Sequence, residues 1–196
     1  MIVVDVESSG VEPHKHSILS IGAVDFLDRS RVFYDECRIW EGAHVMDEAL
    51  EVNGFKEEEI TSEYKKTEAE IVEAFVAWAL DSKEHTLAGH NPAFDLYFLK
   101  AAAERAKIDW PFPHRSYDSH SMCYMHMVNR GVEPPVNKKR SALNLDGVMQ
   151  YVGLLGEPKP HNALTGARSA CECFSRLLND EKMLDEFQQF EIPWKT

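Results

Sequence analysis

Two carboxylates near the N-terminus have the spacing of a metal site. Asp5 and Glu7 stand two positions apart in the short β-prone segment 2–7. On a strand such side chains project from the same face, while Val4 and Val6 project from the other. Two like charges this close repel each other unless a cation lies between them, and hard oxygen ligands suit Mg²⁺ or Mn²⁺. For this pair alone, two solvated acids at a strand end remain the competing interpretation.

Two further residues have types suited to hydrolysis. Asp95 falls in the first turn of a predicted helix, which would hold its carboxylate beside a sheet, although it could equally serve only to complement the helix dipole. His161 lies just before another predicted helix, behind Pro158 and Pro160. Imidazoles titrate near neutrality, which suits a general base that takes a proton from water, and the alternative is an ordinary surface histidine. His90 is interpreted as structural.

The elements that must position these residues begin with strands. After the segment with Asp5 and Glu7, two β-prone runs at 18–27 and 31–40 are separated by residues 28–30, which predicts a hairpin turn there. Two short strands are predicted further along, at 86–89 and near 116–117. Three strands first, and alternating helices and strands afterwards, predict an α/β sheet flanked by helices.

The rest of the chain has helical patterns. Thr67 and Glu70 form a capping box before apolar residues at helical spacing. Asn91 and Pro92 predict an N-cap and first helical position, with the helix ending near 106. We predict three more helices, at 120–129, 143–151 and 163–178, and a loop rich in Pro and Lys, the most mobile segment, at 131–141.

Composition limits the class of protein. With 196 residues, 44% hydrophobic and 28% charged, the sequence predicts a single domain over 1–196. It contains no recognisable signal peptide and no apolar run long enough for a membrane span. Its four cysteines lack paired metal-site spacing, which predicts free thiols in a reducing compartment. We therefore expect a cytoplasmic protein without a membrane partner.

Charge bears on nucleic-acid binding. The formal net charge of -12 argues against a protein that coats long duplexes by neutralising phosphates. Residues 100–140, however, carry eight bases against four acids, while residues 41–70 carry ten acids against three bases. The basic stretch is either ordinary solvated surface or a modest track for a short single strand, and both interpretations stay open.

Three motifs, in order, resemble the DEDDh group of 3′-5′ exonucleases. This is the DnaQ-like family of polymerase proofreading subunits and oligoribonuclease, in the ribonuclease-H-like superfamily. Its motifs Asp-x-Glu with small residues and Gly, His-Asn-x-x-Phe-Asp, and His-x-Ala-x-x-Asp-Ala are similar to residues 5–10, 90–95 and 161–167. Two further segments resemble the family, at 49–55 and 117–120. The resemblance covers residues 1 to about 180.

The resemblance implies a fold and a set of site residues. The fold is a mixed five-stranded sheet flanked by helices, with the first three strands antiparallel and the central strand carrying Asp5 and Glu7. Asp5, Glu7 and Asp95 would hold metal and, with His161 as general base, form the catalytic set. The residues implied to bind substrate are Ser8, Ser9, Gly10, Val11, Asn91 and Phe94, with Tyr97 as a further stacking candidate.

The resemblance also implies an activity. It is metal-dependent removal of nucleoside 5′-monophosphates from single-stranded 3′ ends of DNA or RNA, which would be the partners of the protein. In the two-metal mechanism one Mg²⁺ or Mn²⁺ acidifies the attacking water and another stabilises the leaving oxygen, with the ions about 3.5–4 Å apart.

One position departs from the family pattern. The third motif ends in aspartate, but this chain has Gly166 there. Because that aspartate helps to hold one of the two ions, we predict one weakened metal site, and we expect Gly166→Asp to raise metal affinity and activity. Glu172 is predicted to face elsewhere on the helix. A weakened 3′-end binding protein, and an acidic interaction protein, are the alternatives to an active exonuclease.

Overall fold

Five strands form the main sheet of the computed structural model, which describes residues 1–195. They are β1 (Ile2–Ser8), β2 (Ile18–Asp25), β3 (Asp28–Glu36), β4 (Leu87–Gly89) and β5 (Ser116–Asp118). Their order is β3-β2-β1-β4-β5, with the first three antiparallel and the last two parallel to β1. The predicted mixed sheet is therefore confirmed, and the strand that carries Asp5 and Glu7 is its central one.

Helices cover both faces of this sheet. They are α1 (Asp47–Asn53), α2 (Glu57–Ile60), α3 (Glu68–Leu80), α4 (Ala93–Ala106), α5 (Ser119–Asn129), α6 (Leu145–Tyr151) and α7 (Ala163–Asn179), followed by a 3-10 turn at Asp185–Phe187. Thr67 caps α3 as predicted, accepting from the backbone N–H of Glu70 while the Glu70 carboxylate accepts from that of Thr67. None of the helices described in residues 1–195 is long and apolar enough to span a membrane.

The alternation of side chains along β1 separates two buried layers. Val4 and Val6 belong to the core that α3 and α4 cover. Val3 belongs to a second core, in which α7 contributes Ala167 and Phe174. Because the side-chain period of a strand is two, Asp5 and Glu7 share the face of Val3 and point towards α7.

Helix α7 lies unusually close to the sheet near Asp5. Gly22 on β2 is the cross-strand partner of Asp5. A Cβ built on Gly22 would lie 2.2 Å from the backbone carbon of Ala163 and from the backbone nitrogen of Leu164, so only glycine allows this approach. The first turn of α7 is thereby brought beside Asp5.

The far half of α7 is fixed by a buried ion pair. Arg176 Nε donates to Glu172 Oε1 at 2.7 Å, and both side chains are fully buried. Glu172 Oε2 also accepts from the backbone N–H groups of Met183 and Leu184, at 2.9 and 2.8 Å. Glu172 therefore binds the C-terminal segment. This agrees with the prediction that Glu172 faces away from the site and does not replace the missing motif aspartate.

The hairpin turn lies earlier than predicted. The predicted turn at 28–30 is wrong, because β3 already begins at Asp28, and Phe26 and Leu27 form the connection. Asp25 pairs directly with Asp28, and its carboxylate accepts from the backbone N–H of Leu27 at 2.9 Å. The Asp25 side chain accepts this hydrogen bond and closes the tight turn. The turn therefore precedes the polar residues 28–30, from which it was predicted.

Two other local predictions also need correction. Asn91 is not the N-cap of α4, because it has a left-handed backbone (φ 53°) and Pro92 takes the cap position. The predicted loop 131–141 contains a small ribbon, β6 (Val136–Asn137) paired with β7 (Arg140–Ser141). The predictions did not include α1 and α2.

We predict that Gly22→Ala destabilises the protein by about 1–3 kcal/mol, the usual cost of overpacking. The added methyl group has no free volume, because backbone atoms of α7 occupy its place. Denaturant unfolding followed by circular dichroism measures the effect. An unchanged midpoint would contradict a tight contact between β2 and α7.

Candidate active site

Asp95 is fixed to the strand that carries the other two acids. Its carboxylate Oδ1 accepts from the backbone N–H of Val6 at 3.0 Å, and the side chain is buried. This N–H is available because β4 pairs with β1 only at Ile2 and Val3. The early end of β4 therefore lets the first turn of α4 place Asp95 between Asp5 and Glu7 along the strand.

Burial raises the pKa values of all three carboxylates, and neighbouring acids raise those of Asp5 and Glu7 further. Burial, and then the charges of Asp95, Glu7 and Glu157, raise the pKa of Asp5 well above its ordinary value. Burial, and then Glu157 and Asp95, raise the pKa of Glu7 to about 8. Burial raises the pKa of Asp95 to about 7 against the opposing hydrogen bond from Val6. Without a cation, the site therefore retains protons at neutral pH.

His161 is positioned by its backbone. Its N–H donates to the carbonyl of Val52 at 3.0 Å, and Asn162 caps α7 by accepting from the N–H groups of Leu164 and Thr165. Helix α1, which ends at Asn53, thus holds the segment before α7 in place. The His161 side chain is 33% exposed and its Nδ1 lies 3.8 Å from Glu157 Oε2.

The space beside Gly166 is not vacant. A Cβ built on Gly166 would lie 2.5 Å from Asp5 Oδ2 and 3.2 Å from Glu157 Oε1. Two carboxylates therefore border the point from which a side chain of residue 166 would start, and the expected weakening of one metal site stays a prediction. Glu157 was not among the predicted site residues. Its only signal was an acid four residues before His161 in a loop with two prolines.

The predicted substrate residues after β1 divide into buried and exposed groups. Ser8 Oγ donates to the carbonyl of Gly10 at 2.6 Å, and the buried Ser9 Oγ donates to the carbonyl of His44 at 2.8 Å. A Cβ on Gly10 would collide with the His16 ring, at 2.2 Å from its Cδ2. The Ser8 hydroxyl bonds within the turn and the Ser9 hydroxyl joins the turn to the segment at His44, which leaves Val11, 61% exposed, as the side chain open to a ligand.

The predicted substrate residues at the start of α4 also differ among themselves. Asn91 is exposed and its backbone N–H donates to Asp118 Oδ1 at 3.0 Å. Phe94 is half-buried, with its ring 4.9 Å from that of Phe98, so much of it belongs to the core. Tyr97 is 65% exposed. His90, interpreted as structural, has Nδ1 at 3.0 Å from Ser119 Oγ.

The donor atoms suit a hard divalent cation. In residues 1–195, no three His, Cys, Asp or Glu side chains are already arranged around one metal-sized point. Within the same residues, no Lys or Arg forms an ion pair with Asp5, Glu7, Asp95 or Glu157. Mg²⁺ and Mn²⁺ prefer oxygen ligands, and either ion would neutralise a cluster of carboxylates that has no Lys or Arg partner in these residues.

Comparison with known proteins identifies the family. The model of the RNase T exonuclease family matches residues 2–174. This chain belongs to the RNase T exonuclease family. The family assignment confirms the resemblance to DnaQ-like exonucleases and argues against an unrelated acidic interaction protein.

Individual relatives agree with this assignment. The chain is 32% identical over 133 residues to ribonuclease T of Vibrio parahaemolyticus, covering 60% of this chain and 62% of that protein. It is 26% identical over 192 residues to the PolC-type DNA polymerase III of Thermotoga petrophila, covering 97% of this chain. The chain spans only 13% of that polymerase.

Solved structures share the fold. E. coli exonuclease I in complex with a dA16 oligonucleotide superimposes with a TM-score of 0.72 at 15% identity, over 92% of this chain and 40% of that one. The nuclease domain of 3′hExo, a DEDDh family member bound to rAMP, gives 0.67 at 16% identity, over 93% and 96%. At these identities the likeness concerns the fold.

We predict that the metal-free protein loses stability as the pH rises from about 5 to 8. The folded protein keeps protons on Glu7 and Asp95 that the unfolded chain releases near its ordinary carboxyl pKa values, so stability falls through this window. One pKa unit corresponds to about 1.4 kcal/mol. For a chain of this length, each kcal/mol corresponds to about 2–4 °C in Tm.

Thermal unfolding in the presence of chelator measures this fall. Glu7→Gln, which keeps the shape without the titrating carboxyl, should flatten the curve, and Mg²⁺ should stabilise the unchanged protein more at pH 8 than at pH 6. Parallel curves for the two proteins would contradict the raised pKa of Glu7.

Proposed function

We propose that this protein is a metal-dependent 3′-5′ exonuclease that removes nucleoside 5′-monophosphates from single-stranded 3′ ends of DNA or RNA. One observation carries the proposal: Asp5, Glu7 and Asp95 gather at the end of the central strand, next to the loop that presents His161. Membership of an exonuclease family supports hydrolysis of a phosphodiester as the reaction.

Each residue has a proposed role in hydrolysis. Asp5, Glu7 and Asp95 would hold Mg²⁺ or Mn²⁺, which would activate water and stabilise the charge that develops on the departing oxygen. His161 takes the proton of the attacking water, because it is partly exposed at the edge of the carboxylate cluster. Proton transfer of this kind contributes typically about 10²–10⁴-fold to the rate.

Exposed apolar side chains suit a single strand. Val11, 61% exposed, follows β1 by three residues, and Tyr97, 65% exposed, lies in the second turn of α4. Stacking and apolar contacts of this kind are tolerant of sequence, because every base has a flat face. A strand without a partner offers those faces, whereas a duplex hides them. The solved exonuclease I complex with a dA16 oligonucleotide supports the same class of substrate.

An active enzyme is favoured over a weakened 3′-end binding protein. The hypothesis of a weakened binding protein assumed a vacant metal-ligand position at Gly166. Because a Glu157 oxygen borders that position, the site keeps a fourth carboxyl group beside Asp5, Glu7 and Asp95. An imidazole at His161 also serves hydrolysis, whereas simple binding of a 3′ end has no need for a proton acceptor there.

We predict that Asp5→Asn and Asp95→Asn each abolish digestion of a 5′-labelled single-stranded oligonucleotide, which the unchanged protein shortens as a ladder. Both changes keep the side-chain shape, and the amide oxygen at position 95 can still accept from Val6. His161→Ala should slow digestion by about 10²–10⁴-fold. Chelator should stop the reaction, and a 3′-labelled strand should release labelled mononucleotide first. Full activity in Asp5→Asn would point to another site.

A further inference from the structure

Glu157 is an acid that neither the motifs nor the roles above account for. It lies in the loop between α6 and α7, and its backbone N–H donates to Asp146 Oδ1 at 2.8 Å. Its side chain is only 7% exposed, although glutamate is rarely buried without a partner. The loop is therefore tied to the start of α6, with the carboxylate turned inwards.

The Glu157 carboxylate points into the cluster at the end of β1. Its Oε1 lies 3.2 Å from the point where a Cβ of residue 166 would stand, and Asp5 Oδ2 lies 2.5 Å from the same point. In the described residues 1–195, no hydrogen bond to either Glu157 oxygen is formed. Its other oxygen is 3.8 Å from His161 Nδ1, beyond hydrogen-bonding distance. Carboxylate oxygens without donors, on a side chain that is 7% exposed, are available to a cation.

We propose that Glu157 supplies the fourth carboxylate of the metal site, in place of the aspartate that the third motif lacks at position 166. The inference rests on the proposed function, because it concerns the same site. Glu157 reaches the cluster from the loop before α7, whereas the motif aspartate would reach it from the helix itself. Together with Asp5, Glu7 and Asp95, it restores a set of four acids.

The glycine at position 166 leaves room for the Glu157 carboxylate. Any side chain there would begin 2.5 Å from Asp5 Oδ2 and 3.2 Å from Glu157 Oε1, so it would compete with both carboxylates for one space. Gly166 costs roughly 1 kcal/mol against alanine within a helix. The absence of a side chain at position 166 leaves this space to the Glu157 carboxylate. Gly166→Asp alone should therefore not raise metal affinity, contrary to the expectation from the motif.

A different role for Glu157 would be to orient His161 without contacting metal. The two roles differ in what they change. Loss of a metal ligand weakens binding of Mn²⁺ even without nucleic acid, whereas loss of a partner for His161 changes the pH dependence of hydrolysis and leaves Mn²⁺ binding unaltered. The distance of 3.8 Å between Nδ1 and Oε2 favours the first role.

The test is titration calorimetry with Mn²⁺ in the absence of nucleic acid. Glu157→Gln should lose one ion or bind at least about tenfold more weakly, since even residues that only support metal ligands cost about 10–100-fold. Glu73→Gln is the matched control, because Glu73 is exposed on α3 and the change removes the same charge. Gly166→Asp added to Glu157→Ala should recover part of the affinity that Glu157→Ala loses, because alanine vacates the space and the aspartate returns a carboxylate to it.

The outcomes separate this inference from the proposed function. Mn²⁺ binding by Glu157→Gln equal to that of the Glu73→Gln control would overturn the role of Glu157, whether or not the pH profile of hydrolysis moves. If Asp5→Asn loses Mn²⁺ while Glu157→Gln does not, only the fourth ligand fails. If the unchanged protein neither binds Mn²⁺ nor shortens an oligonucleotide, the proposed function itself fails. Thermal unfolding in chelator confirms that each variant is folded.

Discussion

Mutual repulsion among buried carboxylates is the constraint on which the site depends. Burial raises the pKa values of Asp5, Glu7 and Asp95, and neighbouring carboxylates raise those of Asp5 and Glu7 further, so the fold must hold these groups together against an unfavourable interaction. Within residues 1–195, three features position them without an ion pair to Lys or Arg. β1 fixes two acids on one face, the N–H of Val6 holds the third, and Gly22 admits α7 against the sheet. Packing keeps these carboxyl groups together, and retained protons reduce their repulsion in the absence of a cation.

Much of this arrangement is predictable because it depends on local rules. The period of a strand places Asp5 and Glu7 on one face, and the capping box at Thr67 fixes the start of α3. The order of strands and helices predicts the mixed sheet. The roles of the site residues, and the single-domain and cytoplasmic assignments, stay predictions because they depend on chemistry and context that geometry alone does not test.

What the sequence did not reveal depends on contacts between distant segments. Glu157 has no periodic neighbours, and its importance comes only from the space beside Gly166. The support of His161 by the carbonyl of Val52 joins segments more than a hundred residues apart. The backbone N–H of the left-handed Asn91 donates to Asp118, which lies 27 residues further along the chain. Such contacts leave no mark in composition or spacing.

A sequence motif gives the chain position of a metal ligand, whereas metal binding depends only on where the ligand oxygens lie in space. A carboxylate can reach one point in space from a helix or from the loop before it, provided that the helix position is cleared of atoms. Gly166 clears it, and Glu157 has the longer side chain that the greater reach requires. In the arrangement that we propose, the missing acid at position 166 and the buried acid Glu157 outside the motif belong to one metal site, so the two positions must be interpreted together.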